Sequence, residues 1–216
     1  MPHAVRFIET MTGTVSPCPP ERLPDWYDDP EGFDSRVVQA SSAASNGATP
    51  LGMHDLALAV APVAAGDDGL PGRVWAGIVQ FGDQRYKVDA GRFLALASSP
   101  VHGRRLRYRI SARAVTGERV DLAGVKVVTG RPWRWWLDTS RMYVYLAVST
   151  EDGQLRAAAG TVRLGLAAFA RQLTTLRGRP LDVLTFLGRF AARLVIPSRP
   201  GTGRPPPGVP QTPGRS

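Results

Sequence analysis

The chain has 216 residues, 43% of them apolar, enough for one sizeable core, so a single domain is expected. Its single cysteine, Cys18, excludes an internal disulfide and offers no zinc-ligand spacing, so no metal is expected. A formal charge of +9 suits a phosphate backbone, but the cations are nearly all scattered arginines without a recognition helix or RNP-type aromatic pair, so no nucleic acid partner is expected.

In chain order, Val5–Met11 alternates and ends before Gly13, which predicts a first strand. Arg6 and Glu9 interrupt the N-terminal stretch, so it does not resemble a signal peptide. Residues 14–52 are rich in Pro, Gly, Ser, Asp and Ala and read as one long loop. Trp26, Tyr27 and Phe33 within it favour a lid over a plain linker. The longest apolar run, Leu56–Ala65, is broken by Pro62 and falls short of the roughly 20 residues of a membrane span. No span and a cytoplasmic location are therefore expected.

From Met53 the chain reads as a β-meander: Met53–Val60, Arg73–Phe81, Arg85–Asp89, Phe93–Ala97, Arg104–Val115, Arg119–Val128, Arg141–Thr150 and Leu155–Leu164. Gly82-Asp83, Thr116-Gly117 and Glu151-Asp-Gly153 supply turns between several of these runs. Leu106, Tyr108, Ile110 and Ala112 share one strand face, while Arg105, Arg107, Arg109 and Arg113 share the other and read as a solvated exterior. After Gly165 the period becomes helical. Leu166, Phe169, Leu173 and Leu176 form one stripe, and Leu184, Leu187, Phe190 and Leu194 form a second after Pro180. These stripes need a surface to cover, and the open side of the sheet supplies it. The expected fold is mainly β (α+β): an antiparallel β-barrel or strongly curved meander sheet closed by two C-terminal helices. It spans residues 1–196 as one domain, and the Pro/Gly-rich tail 197–216 is expected to be disordered.

Several runs carry a family resemblance: Arg6–Gly13, Leu106–Arg109, Leu122–Lys126, Trp136–Thr139 with Tyr143, and Ala159–Arg163 leading into Phe169–Arg177. Together they resemble an accessory β-rich domain attached to some actinobacterial glucose–methanol–choline flavoproteins of the cholesterol-oxidase type. The resemblance implies a steroid-like, isoprenoid or polyketide-like ligand and a flavoprotein partner. It implies no flavin on this chain, since no G-x-G-x-x-G opens a helix after a first strand, and no cofactor is expected.

His3, His54 and His102 have no triad or metal spacing, and neither a P-loop nor a G-x-S-x-G elbow occurs. What remains is a set of polar groups on apolar strand faces. Glu9 shares a face with Phe7 and Met11, and Lys126 shares one with Val120, Leu122 and Val128. Buried charges of opposite sign should pair with each other or with Tyr108, Asp138 or Tyr143. Three readings stay open. The pair is a structural salt bridge fixing barrel register, or Glu9 is a general acid or base with Lys126 and Tyr108 polarising a carbonyl, or both groups lie in water. Phe7, Met11, Trp75, Trp133, Trp136, Asp138 and Tyr143 complete the candidate ligand contacts, with the tryptophans of 133–136 equally suited to plugging the core. The functional expectation is an apolar pocket for a hydrophobic small molecule, used by a cofactor-free cyclase or isomerase of natural-product biosynthesis. The rivals are a non-catalytic binding or accessory module beside a flavoprotein, a homodimer being compatible with either, and a docking surface built on the arginine face.

Overall fold

A computed structural model describes residues 5–44, 49–61, 69–98, 103–129 and 135–195. Eight strands close into one antiparallel barrel in chain order. They are β1 Val5–Cys18, β2 Thr49–Val60, β3 Leu70–Phe81, β4 Gln84–Ser98, β5 Arg104–Arg113, β6 Arg119–Val128, β7 Arg141–Ser149 and β8 Leu155–Arg163. Among the described residues four helices accompany them: α1 Pro30–Ala43, α2 Trp135–Ser140, α3 Leu166–Thr174 and α4 Pro180–Val195.

Alternation drives the closure. Every second residue of β5 and β6 turns into the lumen, so Leu106, Ile110, Ala112, Val120, Leu122 and Val128 bury their side chains on one another and on Met142, Val144 and Leu146 of β7. Gly82 and Gly117 take φ of 58° and 92° at two of the expected turns, a conformation that other residues adopt only with strain. The seam is the pairing of β1 with β8, from Thr12↔Arg163 to Cys18↔Ala157. It depends on Gly160, where a Cβ would sit 2.3 Å from the Thr14 carbonyl oxygen. β2 bulges where Glu9 and Met11 of β1 oppose Leu56 and Met53, with Asp55 at φ 51° as part of the irregularity.

The 14–52 stretch is not one loop, and it is not a lid. β1 continues through it to Cys18 because the small residues Ala157–Ala159 and Gly160 let the strands pair closely. Further on, Asp29 accepts a hydrogen bond from the Gly32 N–H at 2.8 Å and Pro30 opens α1, a helix-start combination that overrides the weak local propensity. Phe33, Val37 and Ser41 then fall on one face and lie against the outside of the barrel. There they cover Leu94, Ala123, Val125, Tyr145 and Ala159 together with Trp26.

This outer helix also corrects the reading of the arginine face. Arg107 is 2% exposed and makes a two-pronged bond to Asp34 of α1, with Nε and Nη2 each 2.7 Å from a carboxylate oxygen. Arg105 Nε lies 3.6 Å from the same carboxylate, whereas Arg109 and Arg113 keep substantial exposure. The expected runs 85–89 and 93–97 are one strand, β4, whose register against β5 shifts between Val88 and Ala90 and between Leu94 and Ala97. The two C-terminal helices form as expected, and the 197–216 tail lies outside the described residues. No helix among the described residues is long and apolar enough to cross a membrane.

Candidate functional site

The two ends of the lumen differ. Met11, Met53, Leu56, Ile110 and Leu122 fill the interior away from α3 and α4. At the other end β1 begins, β5 begins, β6 ends and β8 hands over to α3. Here the side chains stop short of filling the space, and a cavity of about 530 Å³ remains. Its barrel wall is Phe7, Phe93, Leu106 and Leu164; its cover is Phe169 and Leu173 of α3 and Leu176 just beyond it, with Phe186, Leu187 and Phe190 of α4. Phe7 meets Phe186 at 6.1 Å between ring centroids, and Phe186 meets Phe190 at 5.8 Å, so the cover is largely aromatic.

Five polar residues interrupt this apolar lining, and three of them, Glu9, Tyr108 and Lys126, meet one another. β1 and β5 are four strands apart in the closed eight-strand order, so they face each other across the lumen. Glu9 on β1 reaches across it. Its Oε1 accepts a hydrogen bond from Lys126 Nζ at 2.6 Å and its Oε2 accepts one from the Tyr108 hydroxyl at 2.9 Å. All three residues are buried. Lys126 Nζ also lies 5.3 Å from the centre of the Tyr108 ring, and Phe93 packs on that ring at 4.7 Å. Gly124, directly opposite Tyr108 on β6, leaves room for the Met142 side chain: a Cβ there would meet Met142 Sδ at 2.7 Å.

The electrostatics assign a state to the tyrosine. Burial pushes the Tyr108 hydroxyl well above its ordinary range, and the charge and hydrogen bond of Glu9 add to the effect. Tyr108 therefore stays a protonated donor. The Lys126 ammonium carries three N–H groups, and its hydrogen bonding among the described residues ends at Glu9. It lines the cavity with donors to spare. Because Glu9 and Lys126 neutralise each other, the floor of the cavity suits an uncharged oxygen acceptor better than a second carboxylate set beside Glu9.

Glu9, Tyr108, Lys126 and Phe7 thus come together on one cavity wall, and the reading that left Glu9 and Lys126 in water is overturned. The other candidates do not join them. Met11 belongs to the filled part of the lumen. Asp138 is buried but accepts the backbone N–H and hydroxyl of Thr129 at 2.8 and 2.5 Å, tying α2 to the end of β6. Trp136 stands one layer behind the lining, edge-on to Phe169 at 4.7 Å. Tyr143 lies on the outer face of β7 under the Arg141 guanidinium, and Trp75, 58% exposed, points outward from β3. Trp133 lies outside the described residues.

The sequence reading missed Phe93, Leu106, Thr139 and Gln172 as cavity residues. Gln172 had a signal, being the one polar residue in the Phe169, Gln172, Leu173, Leu176 stripe, and its buried side-chain oxygen accepts no hydrogen bond. A second concavity, outside the barrel, is edged by Asp25, Asp28, Arg109 and Asp121. Its charges are largely spent on one another and on nearby groups, with Asp25 2.5 Å from Arg92 and Asp121 accepting from Ser111. Comparison of the chain with family models, curated proteins and solved structures gives no match.

Proposed function

We propose that this chain binds a hydrophobic small molecule, of polyketide, isoprenoid or steroid-like character, in the barrel mouth beneath α3 and α4. The observation that carries the reading is an apolar cavity of about 530 Å³ whose floor presents a buried ammonium with unused donors. Ligand pockets commonly measure about 300–1,000 Å³ and pair an apolar lining with a few fixed polar groups. Here Lys126 holds one oxygen of the guest, and the apolar side chains of α3 and α4 pack over the rest of it.

In its catalytic form the same arrangement serves a cofactor-free cyclase or isomerase. Lys126 and Tyr108 draw electron density onto a bound carbonyl, and the Glu9 carboxylate takes a proton from the adjoining carbon and returns it elsewhere on the skeleton. One observation favours the alternative, a non-catalytic binding or carrier module beside a flavoprotein. Both oxygens of Glu9 already accept hydrogen bonds, so taking a proton requires one of those bonds to be released.

The test is occupancy of the cavity. Leu176→Trp, which fills it from the end of α3, just past its last residue, should weaken binding of Nile red and of steroid or sesquiterpene ketones about tenfold or more while leaving the melting temperature within a few degrees. A folded wild-type chain that binds none of these ketones or their parent hydrocarbons refutes the reading. Turnover of any ketone that survives in the Glu9→Gln/Lys126→Met double variant refutes the catalytic form alone.

A further inference from the structure

We propose that the α3–α4 face around the cavity opening docks on an anionic lipid bilayer, from whose surface the cavity draws its guest. The purpose of this docking rests on the hydrophobic-guest reading; its measurement does not.

The observation is an excess of apolar surface at one place. α3 and α4 exist to cover the lumen, yet Leu166, Leu181 and Leu184 are 71%, 75% and 66% exposed. Leu173 and Leu187 line the cavity and are still 47% and 38% exposed, so they form its rim. At roughly 100° per residue, Leu184 lies next to Leu187 on the α4 surface, and Leu166 shares the side of Leu173 on α3, two turns away. The apolar arc of each helix is therefore wider than the cavity needs, and the surplus flanks the opening. Contiguous exposed apolar surface of this kind marks a docking site.

Charge selects the occupant. Residues 163–192 contain five arginines, Arg163, Arg171, Arg177, Arg179 and Arg189, against one acid, Asp182; Arg171 is paired with Asp55 of β2 at 3.2 Å, which leaves the excess to the other four. Arg163, Arg177 and Arg179 are exposed, and Arg177 is anchored beside the last turn of α3 by donating to the carbonyls of Thr174 and Leu176 at 2.9 and 3.0 Å. Leucines among arginines are the makeup of a helix that lies in the interface of an anionic membrane. A symmetric dimer through the same patch would set arginine against arginine, since a two-fold interface brings each surface against itself. An anionic bilayer instead meets both features at once and also dissolves the class of guest the cavity fits.

Co-sedimentation of the full chain with phosphatidylcholine vesicles, with and without phosphatidylglycerol, decides the matter without any guest present. The expected result is binding to the anionic vesicles that falls about tenfold in Leu181→Glu/Leu184→Glu, and falls again in high salt, with weak binding to phosphatidylcholine alone. Neither substituted leucine lines the cavity, so Nile red binding in solution should be unchanged and reports that the variant is folded. Sedimentation that is indifferent to vesicle charge or to the double substitution overturns the proposal. So does a self-association of the wild type that the same variant abolishes, because it gives the face to a second copy. Vesicle binding lost with Nile red binding intact removes the docking surface alone; vesicle binding intact with an empty cavity removes the proposed guest and leaves the docking surface standing.

Discussion

Two of the buried ion pairs among the described residues are built differently. Outside the barrel, Arg107 grips Asp34 with two parallel bonds of 2.7 Å, and Arg105 backs the same carboxylate from 3.6 Å. Every strong electrostatic opportunity of Asp34 is taken, and the pair does one job, which is to fix α1 on the barrel wall. Inside, Lys126 gives Glu9 one bond of 2.6 Å and keeps further donors over a cavity. A charge whose partners saturate it is structural, whereas one left with capacity beside empty apolar space is available to a guest.

Breaking the inner pair from one side should have the largest effect. Lys126→Met leaves Glu9 charged in an apolar lumen with the Tyr108 hydroxyl as its remaining hydrogen-bond donor, a change that typically costs about 3–5 kcal/mol. The cost should appear as a lower urea midpoint at an unchanged slope. Adding Glu9→Gln to the same chain removes the stranded charge and should recover most of the loss, since replacing a buried pair outright is often close to neutral. A double variant no more stable than the single one would mean that the pair fixes the barrel's pairing register, giving it a purely structural role.

The outer pair should be more forgiving. Arg107→Met strands Asp34 only in part, because the Arg105 guanidinium is close enough to move in, so the expected loss lies near the lower end of the same range, about 3 kcal/mol or less. Ketone binding should be unchanged, since α1 touches the barrel from outside and contributes nothing to the cavity lining. A loss of binding that matched the Lys126→Met variant would erase the distinction between the two pairs.

Parity along the strands carried the inner pair. Glu9 between Phe7 and Met11, and Lys126 between Leu122 and Val128, could be assigned to the lumen from period two alone. The same rule, applied consistently, excludes Trp75 and Tyr143, because each alternates with buried neighbours: Val74 in one case, Met142 and Val144 in the other. Parity cannot say which residues meet across a closed barrel. That depends on the β1–β8 seam, and the seam lies in the Gly-, Pro- and Ser-rich stretch where local propensity is weakest. The outer pair was hidden for a related reason. Alternating arginines on one face of β5 look solvated unless a helix covers them, and α1 presents only Phe33, Val37 and Val38 as large apolar residues within a background of Ser, Ala and Asp. α2, at six residues, is too short to show a helical period.

Alkaline pH separates the two pairs most gently. The outer pair is built of arginine and aspartate alone, with no tyrosine in it. The lumen does titrate. Tyr108 is pushed well above the ordinary tyrosine value, first by burial and then by Glu9, and Tyr86 is pushed up to about 12, first by burial and then by Glu118. Below about pH 10 the folded and unfolded chains both keep these protons, and stability does not depend on pH through them. Above it the unfolded chain releases them first, so the folded state holds more protons and stability falls as pH rises. Urea midpoints measured upward from pH 9 should therefore stay level and then decline past about pH 10, and Tyr86→Phe and Tyr108→Phe should each make the decline shallower. Cross-lumen closure would then be the pH-sensitive part of the fold and the α1 clamp the insensitive part; a decline that neither substitution alters would place the titrating groups outside the lumen.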